Sequence, residues 1–308
     1  MKEKNLNFDD NINRRNTNCI KYDFTEKNGK PADVLPMWVA DMDFKTSSLV
    51  IDAIQERVAH GIFGYTDSGD EYFAAVESWM MKHHDMKIER NWLVKTPGVV
   101  FALATAIRAL TEKGDSVLVQ QPVYYPFSSL VISNGRNLVS SDLVLEGGKY
   151  RIDFEDFEKK IVDNNVKLFL LCSPHNPVGR VWTVAELERI CEICIKHNVL
   201  VFSDEIHGDF TFRGNRHVPL LNVNEEIKEQ CITATSPAKT FNLAGLQVSN
   251  IFIPNRELRR AFKDEISAAG AGLITSTGIT ACEAAYSYGE EWYLAMKDYL
   301  QANLDYVR

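Results

Sequence analysis

The stretch KLFLLCSPHNPVGRVWTVAELERICEICIKHNVLVFSDE, residues 167–205, indicates the fold class most directly. It begins and ends with short apolar runs, at 167–173 and 199–205, that are typical of buried strands. Between them, the apolar residues of 184–197 recur at helical spacing. A strand, a helix and a second strand in this order predict a βαβ unit, in which the two strands run parallel in one sheet.

The same alternation continues on both sides of this stretch. Further strands are predicted at 117–120, 231–236 and 247–253, and further helices at 98–110, 153–162 and 256–269. Strands that alternate with helices are typical of parallel sheets, because each crossover helix returns the chain to the edge from which the previous strand started. We therefore predict an α/β fold in which helices cover both faces of a mostly parallel sheet.

Composition and charge exclude several classes of protein. Hydrophobic residues make up 45% of the 308 positions, which is enough for a large core and is not typical of a disordered chain. The formal net charge of −8 argues against nucleic acid as a partner, because such proteins need a basic surface. No run of about 18 apolar residues predicts a membrane span, and residues 1–16 lack the apolar segment of a secretory signal.

The cysteines indicate a reducing compartment and no bound metal. Six cysteines in a chain of this length do not suggest a disulfide framework. Cys191 and Cys194 make a CxxC, but they lie inside a predicted helix, and no second pair completes a zinc site. We interpret both as buried thiols, and we predict a cytoplasmic protein.

Polar clusters follow four of the predicted strands. In chain order they are QPVYYPF with Tyr124, SPHNPVG with Asn176, SDEIHGDF with Asp204 and His207, and SPAKTFNLAG with Ser236 and Lys239. The carboxyl ends of parallel strands meet at one edge of a sheet, where α/β proteins bind their ligands. Each cluster alone also has a structural interpretation, such as a cap, a turn or a solvated lysine. One ligand that needs all four clusters explains them together.

Pyridoxal phosphate is the cofactor that these groups match. Its aldehyde needs a lysine amine, its pyridine nitrogen needs a carboxylate that keeps it protonated, and its phenolic oxygen needs a donor such as an amide. The phosphate needs a helix N-terminus, which the segment beginning at Gly98 offers through the amides of Gly98, Val99 and Val100. The chain contains neither GxGxxG nor a Walker motif, so a nucleotide cofactor is poorly supported.

Five motifs together resemble one known group of enzymes. They are LPMWVADMDF, QPVYYPF, SPHNPVG, SDEIH and SPAKTFNLAG. In this order they resemble the fold-type I pyridoxal-phosphate enzymes of the class I/II aminotransferase superfamily, and within it the cystathionine β-lyase branch of the MalY/PatB type. The resemblance runs from about residue 23 to about residue 290, and it implies the PLP-transferase fold with a large and a smaller domain.

The resemblance implies a role for each residue around the cofactor ring. Lys239 forms the imine with the cofactor and acts as acid and base at the substrate Cα, while Asp204 pairs with the pyridinium nitrogen. Asn176 meets the phenolic oxygen, and His207 occupies the position where many relatives carry a tyrosine for the same oxygen. Tyr124 stacks on the ring. Lys239, Asp204 and Tyr124 are thus the expected catalytic residues.

The resemblance also implies how the phosphate is held. Val99, Val100 and Ser236 bind it, and Tyr65 reaches it from a neighbouring subunit, which implies a homodimer with shared active sites. Ordinary aminotransferases of this superfamily usually place an arginine eight residues after the lysine, where this chain has Gln247. A neutral amide at that position is like the β-lyase branch.

The resemblance implies three segments. We expect residues 1–45 to form an N-terminal arm and part of a small domain, residues 46–285 the large cofactor-binding domain, and residues 286–308 the start of a C-terminal small domain. The helical pattern at the end stops without a cap, so we expect a truncated chain. Relatives bind the substrate carboxylate with an arginine near their C-terminus, and nothing before Arg308 matches its context.

The expected reaction is β-elimination from a cysteine S-conjugate such as cystathionine, which yields pyruvate, ammonia and a thiol. A pyridoxal-phosphate aminotransferase is the alternative enzyme, because it shares every step up to the carbanion. A cofactor-binding regulatory protein that works by protein–protein contact is an alternative of another class. The motifs of the cofactor site leave these alternatives open.

Overall fold

A seven-stranded sheet lies at the centre of the structure, a computed structural model that describes residues 2–4 and 6–307. The strands are β1 (Leu93–Thr96), β2 (Ser116–Val119), β3 (Asn137–Ser140), β4 (Val144–Glu146), β5 (Lys149–Arg151), β6 (Val166–Cys172), β7 (Leu200–Asp204), β8 (Cys231–Thr235) and β9 (Ser249–Phe252). Their order in the large sheet is β1-β9-β8-β7-β6-β2-β3, and β4 and β5 form a separate hairpin. Strand β9 runs antiparallel to both its neighbours, and the remaining strands of the large sheet share one direction.

Helices cover both faces of this sheet. They are α1 (Ser48–Ala59), α2 (Asp70–His84), α3 (Val99–Leu110), α4 (Pro126–Ser133), α5 (Phe154–Asp163), α6 (Val184–Lys196), α7 (Pro237–Thr240), α8 (Arg256–Ala268), α9 (Ser276–Tyr288) and α10 (Glu290–Val307). Successive side chains of a strand point to opposite faces. In β6, Leu168 and Leu170 therefore pack with α3, α4 and α8, whereas Phe169 and Leu171 pack with α2, α5, α6 and α9. The prediction of an α/β fold with a mostly parallel sheet is confirmed.

The local predictions agree with the structure where the apolar runs are strong. Each of the five predicted strands and each of the predicted helices forms within about two residues of the expected bounds. The pattern did not identify β1 and β3, which lie at the two edges of the sheet. These strands have four residues each and alternate between buried and half-exposed positions, so they lack a continuous apolar run.

The first 47 residues contain neither an α-helix nor a β-strand among those described. This N-terminal arm packs on the C-terminal helix: the Phe8 ring lies 4.8 Å from that of Phe44 and 5.8 Å from that of Trp292, measured between centroids. In the described part of the chain, no helix combines the length and the apolar character that crossing a bilayer requires. The domain boundaries named above remain predictions.

Candidate active site

The loops that follow β2, β6, β7 and β8 meet at the carboxyl edge of the sheet. Backbone hydrogen bonds connect them in sequence across this edge. The amide of Tyr124 donates to the carbonyl of Asn176 at 3.0 Å, that of Ser173 to Asp204 at 2.9 Å, and that of Glu205 to Ala234 at 2.8 Å. The four polar clusters of the sequence therefore lie side by side, as parallel strands require.

Asp204 is a buried carboxyl at the end of β7. Burial raises its pKa to about 7, because the charged form loses its hydration, and the neighbouring Glu205 adds to the effect. The amide of Ile206, which donates to Oδ1 at 3.1 Å, opposes this shift, as does the more weakly acting Lys239. In the described part of the chain no side chain forms an ion pair with Asp204, so a cation placed here would restore the carboxylate.

Lys239 lies in α7, a single helical turn that follows β8. Its Nζ donates to the carbonyl of Ala40 at 3.2 Å. Burial lowers the pKa of this amine, while the charges of Asp41 and Asp204 partly offset the change. A lowered pKa increases the neutral fraction, which is the form that attacks an aldehyde.

The remaining ring-binding candidates surround these two groups. His207 is half-buried, and burial together with the charge of Lys239 lowers its pKa to about 4, so the imidazole is neutral at pH 7. Burial raises the pKa of Tyr124, and the charge of Asp204 contributes, which places this phenol within electrostatic range of the carboxyl. The backbone amide of Asn176 donates to the Cys172 thiol at 3.3 Å, which holds the loop after β6 in place.

The N-terminus of α3 forms a cradle for an anion. Gly98 caps this helix with φ of 93°, and within the described part of the chain no side chain caps the first-turn amides. A Cβ at Gly98 would lie 3.2 Å from the Oε1 atom of Gln247, so any larger residue would crowd the cradle. Val99 is buried and Val100 is 44% exposed. Gln247 thus lies beside the phosphate position that the sequence predicted.

Two of the predicted phosphate ligands have other surroundings in this chain. The Ser236 hydroxyl donates to the carbonyl of Val248 at 2.6 Å and accepts from the amide of Ala238 at 3.0 Å, so it caps α7. Tyr65 is 99% exposed, in a loop that also exposes Ile62 and Phe63. Their predicted contacts with phosphate remain predictions.

The sequence reasoning missed Asn242, three residues after the lysine. Its backbone has φ of 57°, and its side chain pairs with the backbone of the segment that precedes α1. Oδ1 accepts from the amide of Met42 at 2.9 Å, and Nδ2 donates to the carbonyls of Met42 and Phe44, each at 3.0 Å. The motifs SPAKTFNLAG and LPMWVADMDF, noted separately in the sequence, are therefore bound to each other.

A cavity of about 520 Å³ opens between Lys239 and the N-terminal arm. Arg14 contributes to its wall and is held by two carboxylates, Asp41 at 2.6 Å and Asp43 at 2.8 Å. The buried Lys21 joins the same group through Asp43 at 2.8 Å. This cluster attaches the start of the arm to its later segment, whose Ala40 contacts Lys239. The sequence carried no signal for the cluster beyond the LPMWVADMDF motif.

These observations fit pyridoxal phosphate. Asp204 is a buried carboxyl without a counter-cation, which a pyridinium nitrogen would supply. Lys239 is an amine with a lowered pKa. At the cradle the Gly98 amide donates to the carbonyl of Thr96 at 2.8 Å, and among the described residues no side chain caps the amides that follow it, which are left for a phosphate. The amides, the carboxyl and the amine that this cofactor needs therefore lie together at one edge of the sheet.

Comparisons with known proteins point to the same group. The sequence profile of the family described as aminotransferase class I and II matches residues 32–308. Cystathionine beta-lyase PatB of Bacillus subtilis is 42% identical over 300 residues, which are 97% of this chain and 78% of that protein. A PLP-bound putative aminotransferase of Clostridium difficile superposes with a TM-score of 0.95 at 40% identity, over 97% of this chain and 77% of the other. A PLP-bound C-S lyase of Staphylococcus hominis superposes with a TM-score of 0.91 at 36% identity, over 98% of this chain and 75% of the other.

The raised pKa of Asp204 predicts a pH-dependent stability of the cofactor-free protein. A carboxyl whose folded pKa lies above its unfolded value stabilises the fold at low pH, and this contribution is lost as the pH rises towards 7. We expect Asp204→Asn to be more stable than the wild type at pH 8, with a difference that shrinks by about 2 kcal/mol towards pH 5. Urea unfolding at both pH values measures it.

The exposed Asp33→Asn is the matched control and should show no such dependence. A wild type that is more stable than Asp204→Asn at pH 8, without cofactor, would contradict the burial argument.

Proposed function

The chain belongs to the class I and II aminotransferase family, and from this premise we propose that it is a pyridoxal-phosphate-dependent carbon–sulfur β-lyase. Its substrate is cystathionine or another S-substituted cysteine, and its products are pyruvate, ammonia and a thiol. One observation carries the proposal: Asp204, a buried carboxyl that forms no ion pair with any described residue, lies at the same sheet edge as the buried amine of Lys239.

Each residue has a definite task in this proposal. The bound cofactor supplies an electron-withdrawing ring next to the substrate Cα. Lys239, whose pKa is lowered by burial, would bind the cofactor and, once the substrate amine has replaced it there, its freed amine would take the proton from Cα. Asp204 holds the proton on the ring nitrogen, and Asn176 with the neutral His207 binds the phenolic oxygen. Tyr124 stacks on the ring and excludes water from one side.

The phosphate site distinguishes the lyase from the aminotransferase. Gln247 lies beside Gly98 at the N-terminus of α3, where an arginine would add a positive charge. The backbone amides of Val99 and Val100 are then the ligands that this chain contributes, together with the Ser236 hydroxyl once it turns from the carbonyl of Val248 to the phosphate. The similarity to PatB, which is named a cystathionine beta-lyase, supports the lyase over amino transfer.

The proposal includes a homodimer in the cytoplasm. Tyr65, together with Ile62 and Phe63, projects from a loop as an exposed apolar group, which a second subunit would cover. The Tyr65 hydroxyl would bind the phosphate of that subunit. All six cysteines are unpaired, which is typical of a reducing compartment. Residues 46–285 form the proposed cofactor domain.

Replacement of Lys239 tests the cofactor site. We expect the wild type with pyridoxal phosphate to absorb in the visible and to retain the cofactor on residue 239 after borohydride reduction. Lys239→Ala should lose both signals, because Lys239 is the lysine whose charge acts on Asp204. Mass spectrometry of the reduced peptides locates the label. Lys113→Ala, an exposed lysine, is the control. Label that persists in Lys239→Ala would overturn the assignment.

Product analysis tests the reaction. With the purified protein, cystathionine should yield pyruvate and thiol in equal amounts without added 2-oxo acid. We expect Asp204→Asn to lose at least about a hundredfold in kcat, because the ring nitrogen loses its charged partner. Amino transfer to an added 2-oxo acid, without pyruvate from cystathionine, would favour the aminotransferase. A protein that binds the cofactor but does neither would favour the regulatory alternative.

Mixed subunits test the shared active site. We expect Tyr65→Phe to weaken pyridoxal-phosphate binding by about tenfold, the effect of one charge-assisted hydrogen bond. The exposed Tyr288→Phe should change nothing. A mixture of Tyr65→Phe and Lys239→Ala subunits should recover one complete site per hybrid dimer, seen as tight cofactor binding to half of its sites. A monomer in sedimentation at micromolar concentration, with cofactor bound tightly, would contradict the dimer.

A further inference from the structure

Asp209 is a buried carboxylate that the proposed chemistry does not use. It lies five residues beyond Asp204 and is 8% exposed. Its Oδ1 accepts from His84 Nε2 at 2.8 Å and from Trp79 Nε1 at 3.3 Å, and its Oδ2 accepts from Thr240 Oγ1 at 2.5 Å. Burial alone raises its pKa, but the hydrogen bonds and the nearby histidines outweigh burial, and the pKa of Asp209 is lowered. The group is therefore ionised and fully engaged.

The bond to Thr240 connects this carboxylate to the lysine. Thr240 directly follows Lys239 in α7, a helix of four residues. A single turn of helix has little stability of its own, so its contacts decide its orientation. Neighbouring residues of a helix point about 100° apart. When the Thr240 side chain is held at Asp209, the direction in which Lys239 leaves the backbone is determined as well.

The carboxylate acts on the lysine by position and not by charge. The acidic groups that affect the pKa of the Lys239 amine are Asp41 and Asp204. The partners of Asp209 are large and buried: His84 and Trp79 belong to α2, which packs against α9. Asp209 thus connects the lysine turn to a rigid part of the core.

We propose that Asp209 is a positioning residue, which through the Thr240 hydroxyl aims Lys239 at the cofactor aldehyde. This inference rests on the proposed role of Lys239 as the cofactor lysine. A misplaced nucleophile reacts poorly even in an intact fold, because bond formation requires a narrow range of approach. Loss of the Thr240–Asp209 bond should therefore impair cofactor attachment more than it impairs stability.

Four variants separate positioning from packing. Thr240→Val keeps the shape of the side chain and removes the hydroxyl, Thr240→Ser restores it, and Asp209→Asn removes the charge. Thr105→Val is the matched control, because Thr105 also donates from a buried hydroxyl, to the carbonyl of Phe101 at 2.9 Å, inside α3. The measurements are the dissociation constant for pyridoxal phosphate, the visible circular dichroism per bound cofactor, and the thermal midpoint of the cofactor-free protein.

We expect Thr240→Val and Asp209→Asn to bind pyridoxal phosphate about tenfold more weakly and with reduced dichroism, and Thr240→Ser to lie within about twofold of the wild type. Thr105→Val should lower the thermal midpoint by a similar amount and leave both cofactor measurements unchanged. Wild-type binding and dichroism in Thr240→Val would overturn the proposal. An equal loss of cofactor binding in Thr105→Val would also overturn it, as would a Thr240→Ser variant that binds the cofactor no better than Thr240→Val. If Asp209→Asn does not fold, the comparison of Thr240→Val with Thr240→Ser tests the proposal. Borohydride-fixed cofactor in Lys239→Ala would instead overturn the proposed site itself.

Discussion

Burial of the Asp204 carboxyl is the constraint on which the arrangement of the site depends. An ionised carboxylate that has lost its hydration needs a cation or several donors, and Asp204 has one backbone amide. Without a nearby cation, the ionised form of Asp204 is therefore disfavoured. A protonated pyridine satisfies this need, and the same pairing keeps the ring able to withdraw electrons. The burial that raises the pKa of Asp204 is thus the feature that suits the site to the cofactor.

The segment SDEIHGD shows how three nearby acids acquire three different tasks. Asp204 faces the site without an ion pair. Glu205, the next residue, points to the other side of the strand, where His217 contacts it at 2.9 Å and the amide of Leu220 donates to it at 2.9 Å. Asp209 is buried in the core, where it accepts a hydrogen bond from Thr240, the residue after the lysine. Asp204 and Glu205 face opposite sides because side chains alternate along a strand. Asp209 points elsewhere because it lies in the loop after β7.

Lys239 illustrates how rigidly a nucleophile is held when it lies on a short element. Ser236 caps the turn from the preceding side, Thr240 is bound to Asp209, and Asn242 binds the segment around Met42. The same segment extends to Ala40, whose carbonyl accepts from the lysine. The N-terminal arm, through the cluster around Arg14, encloses the cavity in front of the amine. The turn of α7, the loop that follows β7 and the N-terminal arm thus meet around this lysine.

The sequence by itself determined the strands with continuous apolar runs, the mostly parallel sheet and the polar clusters beyond the strands, because burial on both faces and the carboxyl-edge rule act on local pattern. From these, and from a resemblance, the cofactor was predictable, whereas the residues assigned to bind it remain predictions. Tertiary structure alone decided that Asn242 binds the backbone at Met42, and that Asp209 pairs with His84, a residue 125 positions away. Such partners carry no local signal, because hydrogen bonds of a buried polar group depend on which distant segments the folded core brings within about 3 Å.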